Sequence, residues 1–81
     1  MREGQIADQG APLSVLRLPL VEERVGLSGA HIYNKINPRS PWFDPDFPKP
    51  IRLGSRSMGW LSVEIDAWLR KQAAKRERVV A

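Results

Sequence analysis

The sequence has no cysteine and a single histidine, His31. No disulfide can staple the fold, no thiolate can bind a metal or attack a substrate, and a multi-histidine metal site is excluded. Long apolar runs are missing as well. Nothing approaches the roughly 18 residues of a membrane span, and the N-terminus lacks the apolar stretch of a secretory signal. The expectation is a cytoplasmic domain with no membrane partner. At 81 residues the chain is also short. Sandwiches, α/β barrels and doubly wound sheets need more, and a ligand-sized internal cavity is not expected, nor a cofactor or small-molecule ligand. What is present is three Trp, two Phe and one Tyr, enough to seed one compact apolar cluster. The formal net charge is +4, with nine Arg against four Lys. That balance suits phosphate contacts, because the guanidinium fork matches phosphate oxygens.

The charge is unevenly placed. Residues 1–13 carry Arg2, Glu3 and Asp8, net −1. Residues 14–69 are almost balanced, at net +1. Residues 70–81 hold Arg70, Lys71, Lys75, Arg76 and Arg78 against Glu77, net +4. Three stretches follow from this and from the hydrophobic pattern. Residues 1–13 read as a flexible lead, 14–72 as one domain and 73–81 as a basic tail.

Periodicity begins at LPLVEERVGL. Leu18, Val21 and Val25 share a helical face, Pro19 suits the first turn, and Gly26 suits a left-handed stop. Glu22 and Glu23 fall toward the start and Arg24 toward the end, as the helix dipole prefers. A second helix, GAHIYNKI, follows with Ser28 as N-cap and Leu27 and Ile32 spaced as a hydrophobic staple. Ile32, Tyr33 and Ile36 fall on one side, and Tyr33 is assigned to the core, with its hydroxyl in reach of a phosphate. Ala30, His31, Asn34 and Lys35 fall on the other. Two short helices joined by a tight glycine turn make a helix-turn-helix.

Residues 38–50 contain five of the seven prolines, so regular structure cannot persist there. Trp42, Phe43 and Phe47 sit among them, which predicts an ordered loop with at least two rings pinned to the domain. IRLGSRSMGW reads as a β-hairpin turning at Gly54-Ser55, with Arg56 near the tip. A last helix spans about Ser62 to Lys75, with Ser62 as N-cap and Glu64 and Asp66 in its first turn. Leu61, Ile65, Trp68, Leu69 and Gln72 form its apolar face, and an Asp66–Arg70 pair lies opposite. Beyond Gln72 the chain is expected to project or fray. Trp60 and Trp68 follow their elements' apolar periods and belong to the core. The fold class is therefore mainly α with a small β-hairpin: a winged helix-turn-helix.

This order of elements suits double-stranded DNA. A recognition helix enters the major groove and offers its exposed face to base edges. Here that face presents Ser28, Ala30, His31, Asn34 and Lys35. Asn can pair bidentately with adenine and Lys can reach guanine. Arg56, with Arg52 and Ser57 beside it, forms the wing tip, and Lys49 stands at the wing's base. The basic tail reads equally as a phosphate arm or a solvated helix end. Signs of catalysis are missing. His31 has no acidic partner at motif spacing, Gly54-Ser55-Arg56 lacks the Lys-Ser/Thr of a phosphate loop, and Glu22 and Glu23 point apart on a helix.

Beyond these patterns, the sequence resembles the AlpA family of phage and prophage regulators, relatives of excisionases and of the DNA-binding heads of MerR-type regulators. The residues that carry the likeness are Leu18-Pro19, Val21-Glu22-Glu23, Val25-Gly26-Leu27-Ser28 and Ile32-Tyr33. They continue with Phe47-Pro48-Lys49-Pro50-Ile51, Leu53-Gly54, Arg56-Ser57, Gly59-Trp60-Leu61 and Ile65-Asp66-Ala67-Trp68-Leu69. The likeness covers residues 16–70. It departs at Gly29 and Ala30, where the family often has Arg or another polar residue, and in a longer stretch from Asn37 to Asp46. The resemblance implies a transcriptional regulator of a mobile element that promotes expression of excision genes from operator DNA, nucleoid-associated when bound, with self-association on DNA an open question. Within the same class stands an excisionase that bends attachment-site DNA. From another class stands a protein-interaction adaptor that keeps the winged fold without binding DNA.

Overall fold

The computed structural model describes residues 13–80, with side chains through Arg76. The lead expected over residues 1–13 lies, Leu13 apart, outside the described residues. The elements run β1 (Val15–Leu16), α1 (Leu18–Val25), α2 (Gly29–Ile36), β2 (Ile51–Arg52), β3 (Met58–Leu61) and α3 (Ser62–Val80). This is the expected winged helix-turn-helix, with one strand the sequence did not announce. β1 pairs antiparallel with the far edge of β3, placing Val15 opposite Leu61 and Leu16 opposite Trp60. β2 pairs with the other edge, Ile51 opposite Gly59 and Arg52 opposite Met58. The hairpin becomes a three-stranded sheet in the order β1-β3-β2, which suits the marginal stability of an isolated hairpin.

α1 begins with Pro19 in its first turn and closes at Gly26, whose φ of 74° lies in the left-handed region. Gly26 N–H donates to Glu22 O at 2.8 Å. The helix begins at Leu18, so Glu22 and Glu23 fall beyond its first turn, contrary to the charge pattern expected. α2 starts at Ser28, whose hydroxyl accepts the His31 N–H at 3.3 Å. Where the first strand leads in and the last helix starts, Ser14 and Ser62 clasp one another. Ser14 Oγ donates to Ser62 Oγ at 2.8 Å and Ser62 N–H to Ser14 O at 2.9 Å.

The core is one cluster of Leu16, Val21, Ile32, Phe47, Trp60, Ile65 and Trp68. It draws on β1, α1, α2, the proline loop, β3 and α3, so the winged unit has a single centre. Both assigned tryptophans are in it, Trp60 at 1% exposure and Trp68 at 6%. Trp60 Nε1 donates to Pro48 O at 3.0 Å and Trp68 Nε1 to Asp44 Oδ2 at 3.0 Å. Each indole thus buries its ring and satisfies its one donor.

Four expectations need correction. Tyr33 is not core; it is 41% exposed, because Ile32 at 0% marks the buried centre of α2 and Tyr33 stands 100° around the helix from it. Of the loop rings only Phe47 is buried, while Phe43 is 36% and Trp42 65% exposed. Asp66 does not pair within its own helix; Arg24 of α1 reaches it at 3.0 Å, since α1 packs across α3. Finally, α3 does not stop at Lys75 but runs to Val80, staying helical and exposed from Ala73 to Arg76, so that past Gln72 the chain projects and does not fray, and its first turn holds Glu64 alone of the two acids expected there.

Candidate nucleic-acid interface

Burial of Ile32 fixes which side of α2 faces outward. Each residue advances about 100°, so Ala30, Asn34 and Asn37 lie nearly opposite Ile32, flanked by Tyr33 and His31. Ala30, His31, Tyr33 and Asn37 are exposed and Asn34 is half-buried. Ser28 stands at the head of this surface and shares its hydroxyl with the His31 ring, Oγ to Nδ1 at 2.9 Å. When that hydroxyl donates to Nδ1, Nε2 carries the ring proton and is left as an outward donor.

Lys35 has a different setting. It is half-buried, and its ammonium lies 5.5 Å from the centre of the Trp68 ring, a cation–π distance. A guanine contact would require it to leave that ring. Its backbone is engaged as well, since Lys35 O accepts the Asp44 N–H at 2.9 Å. Asp44 is the keystone of this corner. Partial burial pushes its carboxyl up, but the Trp68 indole N–H, the Asp46 N–H and the charges of Lys35 and Lys75 outweigh that and hold it below its ordinary value.

The wing is built by short hydrogen bonds across its turn. Leu53 N–H and Gly54 N–H both donate to Ser57 O, at 2.7 and 3.2 Å. This leaves Arg56 exposed at the tip, with Ser57 half-buried behind it. Arg52 folds back over the turn, its Nη1 3.4 Å from Ser55 O. Ile51, Leu53 and Met58 are 38%, 47% and 37% exposed, so the wing is held by the buried Trp60 and by pairing with β1 more than by these apolar side chains. Lys49 is exposed and borders a shallow groove between the proline loop and α3, lined also by Phe47, Trp68, Glu64 and Lys71.

The expected residues thus form two clusters on one core. Ser28, Ala30, His31 and Asn34 gather on α2, and Arg52, Arg56 and Ser57 on the wing, with Lys49 beside the groove. Lys35 joins neither. Tyr33 and Asn37 share the outward side of α2 without having been among the expected residues of that face. Asn37 was detectable, because it stands seven residues after Ala30 and so returns to the same face. Among the described residues no group of three His, Asp or Glu side chains is placed to hold a metal, and no helix is long and apolar enough to cross a membrane.

Residues 14–73 match the model of the family described as Prophage CP4-57 regulatory protein (AlpA). The DNA-binding transcriptional activator AlpA of Escherichia coli (strain K12) is 47% identical over 58 residues, which is 72% of this chain and 83% of that protein. The uncharacterized protein ORF88 of Enterobacteria phage P4 is 35% identical over 63 residues, 78% of this chain and 65% of its own length. No solved structure matches.

Proposed function

The chain belongs to the AlpA family of prophage regulatory proteins, and on that footing we propose that it is a sequence-specific, double-stranded-DNA-binding transcriptional regulator. One observation carries the proposal: the second helix of a tight helix-turn-helix presents an outward stripe of Ala30, His31, Tyr33 and Asn34, continued by Asn37 at its C-cap. A helix of this kind fits the major groove, with its N-terminal residues nearest the bases. Residues 14–72 form the binding unit. Asn34 pairs with an adenine, His31 Nε2 donates to an acceptor on a purine, and Ala30 leaves room for a thymine methyl. Ser28, at the head of the helix, lies by a phosphate. Arg56, Arg52 and Ser57 place the wing on the flanking backbone, and Lys49 adds positive charge at its base. Lys35, held over Trp68, contributes charge and no base contact in this arrangement.

Regulation of excision genes in a mobile element is the matching biological role, supported by the prophage origin in the family's description and by the activator named among its relatives. The test is selection of binding sites by the full chain from a randomised duplex pool. The expected result is a recovered consensus bound on the order of 10³-fold more tightly than scrambled DNA. Recovery of no consensus would refute the reading. A site recovered upstream of a promoter identifies a regulator, whereas closely phased repeats inside an attachment site would identify an excisionase instead.

A further inference from the structure

Directly after α2 the chain makes a loop whose cost is hard to assign to folding. Trp42 leaves 65% of its surface in solvent, although the other two tryptophans are buried and hydrogen-bonded. The loop is not loose. Asn37 Oδ1 accepts the Arg39 N–H at 3.0 Å and Ser40 Oγ accepts the Trp42 N–H at 3.0 Å. Ser40 N–H donates to Asn37 O at 2.9 Å, and Phe43 N–H to Ser40 O at 3.1 Å. The Asp44 N–H to Lys35 O bond then ties its far end back to the last turn of α2. The backbone that carries this large exposed ring is therefore fixed relative to α2. Exposed, rigidly held tryptophans are characteristic of binding anchors.

The charges of the same loop bear on the partner. Arg39 is exposed and, among the described residues, makes no ion pair. The two acids of the same loop are turned to other uses: Asp44 accepts from the Trp68 indole and Asp46 lies 3.4 Å from the Lys71 ammonium. Next to α2 the loop thus offers outward the Arg39 cation and the Trp42 ring, with Phe43 partly exposed after them, a pairing that suits a phosphate and the sugar or base edge next to it. Its place also fits. The segment past the C-terminal end of a groove-bound helix meets the backbone at the groove's edge.

We infer that Arg39 and Trp42 form an additional DNA-backbone contact, Arg39 on a phosphate and Trp42 against the adjoining deoxyribose. The inference rests on the DNA-binding reading above and extends the contacted surface beyond α2 and the wing. The test uses the full chain and two probes: a duplex recovered by site selection and a scrambled duplex of equal length. Affinity is measured across a salt series, with acrylamide quenching of tryptophan emission in the free and bound states. Arg39→Ala is expected to weaken both duplexes alike and to lower the salt slope by about 0.9. Trp42→Phe should weaken binding severalfold and Trp42→Ala roughly tenfold. DNA should protect the wild-type emission from quenching, and Trp42→Phe should abolish that protection. All variants should keep the wild-type melting temperature within about 2 °C, because neither side chain packs in the core. Unchanged affinity, slope and quenching in these variants, with wild-type binding intact, would overturn the inference and leave the DNA-binding reading standing. Loss of self-association in Trp42→Ala at unchanged DNA affinity would overturn it in favour of a contact between copies. Failure of the wild-type chain to bind either duplex would overturn both.

Discussion

Trp68 ties three parts of this molecule together. Its ring meets Phe47 edge-on, centroids 4.9 Å apart at 76°, its Nε1 donates to Asp44, and Lys35 lies over its face. It thereby holds α3, the proline loop and the last turn of α2 in one register. Trp68→Ala should destabilise the domain by about 3–5 kcal/mol, measured by denaturant unfolding, and a variant of near wild-type stability would disprove this role. Asp44 is the polar half of the same joint. A carboxyl held below its ordinary value stabilises the fold above the pKa of the unfolded chain, and that contribution disappears as pH falls through the folded value. Asp44→Asn should therefore cost about 1–2 kcal/mol at pH 7. The difference from wild type should shrink below about pH 4, where the unfolded carboxyl begins to protonate. A difference that stayed constant from pH 7 to pH 3 would show that the charge contributes nothing.

At the scale of elements, the wing illustrates why backbone contacts escape a reading of side-chain pattern. β1 is two residues long, too short for any periodicity, yet it fixes the outer edge of the sheet. Its signature is Gly59. A Cβ there would collide with the Val15 side chain and stand 2.9 Å from Leu16 O, so β1 can close on β3 only where the side chain is missing. Gly59→Ala should destabilise the protein by about 1–3 kcal/mol and should expose the β1 amides to hydrogen exchange first. Equal protection in the variant and the wild type would contradict the account. Caps and turns were far more legible. Ser28, Gly26 and Pro19 each perform the local task their chemistry suggests, because those tasks depend on neighbours in sequence. The partners of Asp66 and Lys35 were not legible, since Arg24 and Trp68 reach them only through tertiary packing. Tyr33 was misplaced for a related reason. An apolar arc drawn through three residues has the wrong centre until one of them is known to be fully buried.

For the whole molecule, fold and charge answer different questions. The order of elements was readable because each has its own period or its own breakers. The electrostatic footprint was readable only in part. Net charge over residues 14–69 is +1, so the core domain attracts DNA through where its cations stand and not through their number. α3 carries Arg70, Lys71, Lys75 and Arg76 beyond its buried half, and Lys71 is already engaged with Asp46. If the wing is a phosphate contact, Arg56→Ala should lower the salt slope by about 0.9 with no change in base preference. An unchanged slope would remove the wing from the interface.

The claim on which the rest depends is that the outward face of α2 reads bases. Its most direct measurement compares wild type and Asn34→Ala on the selected duplex and on a set of single-base-pair variants of it, at fixed salt. Wild type should lose about 1–3 kcal/mol at each contacted pair. Asn34→Ala should lose a similar amount on the selected duplex and cease to discriminate at one pair while keeping the others. Equal weakening of Asn34→Ala on selected and scrambled DNA, with its base preferences intact, would contradict the claim.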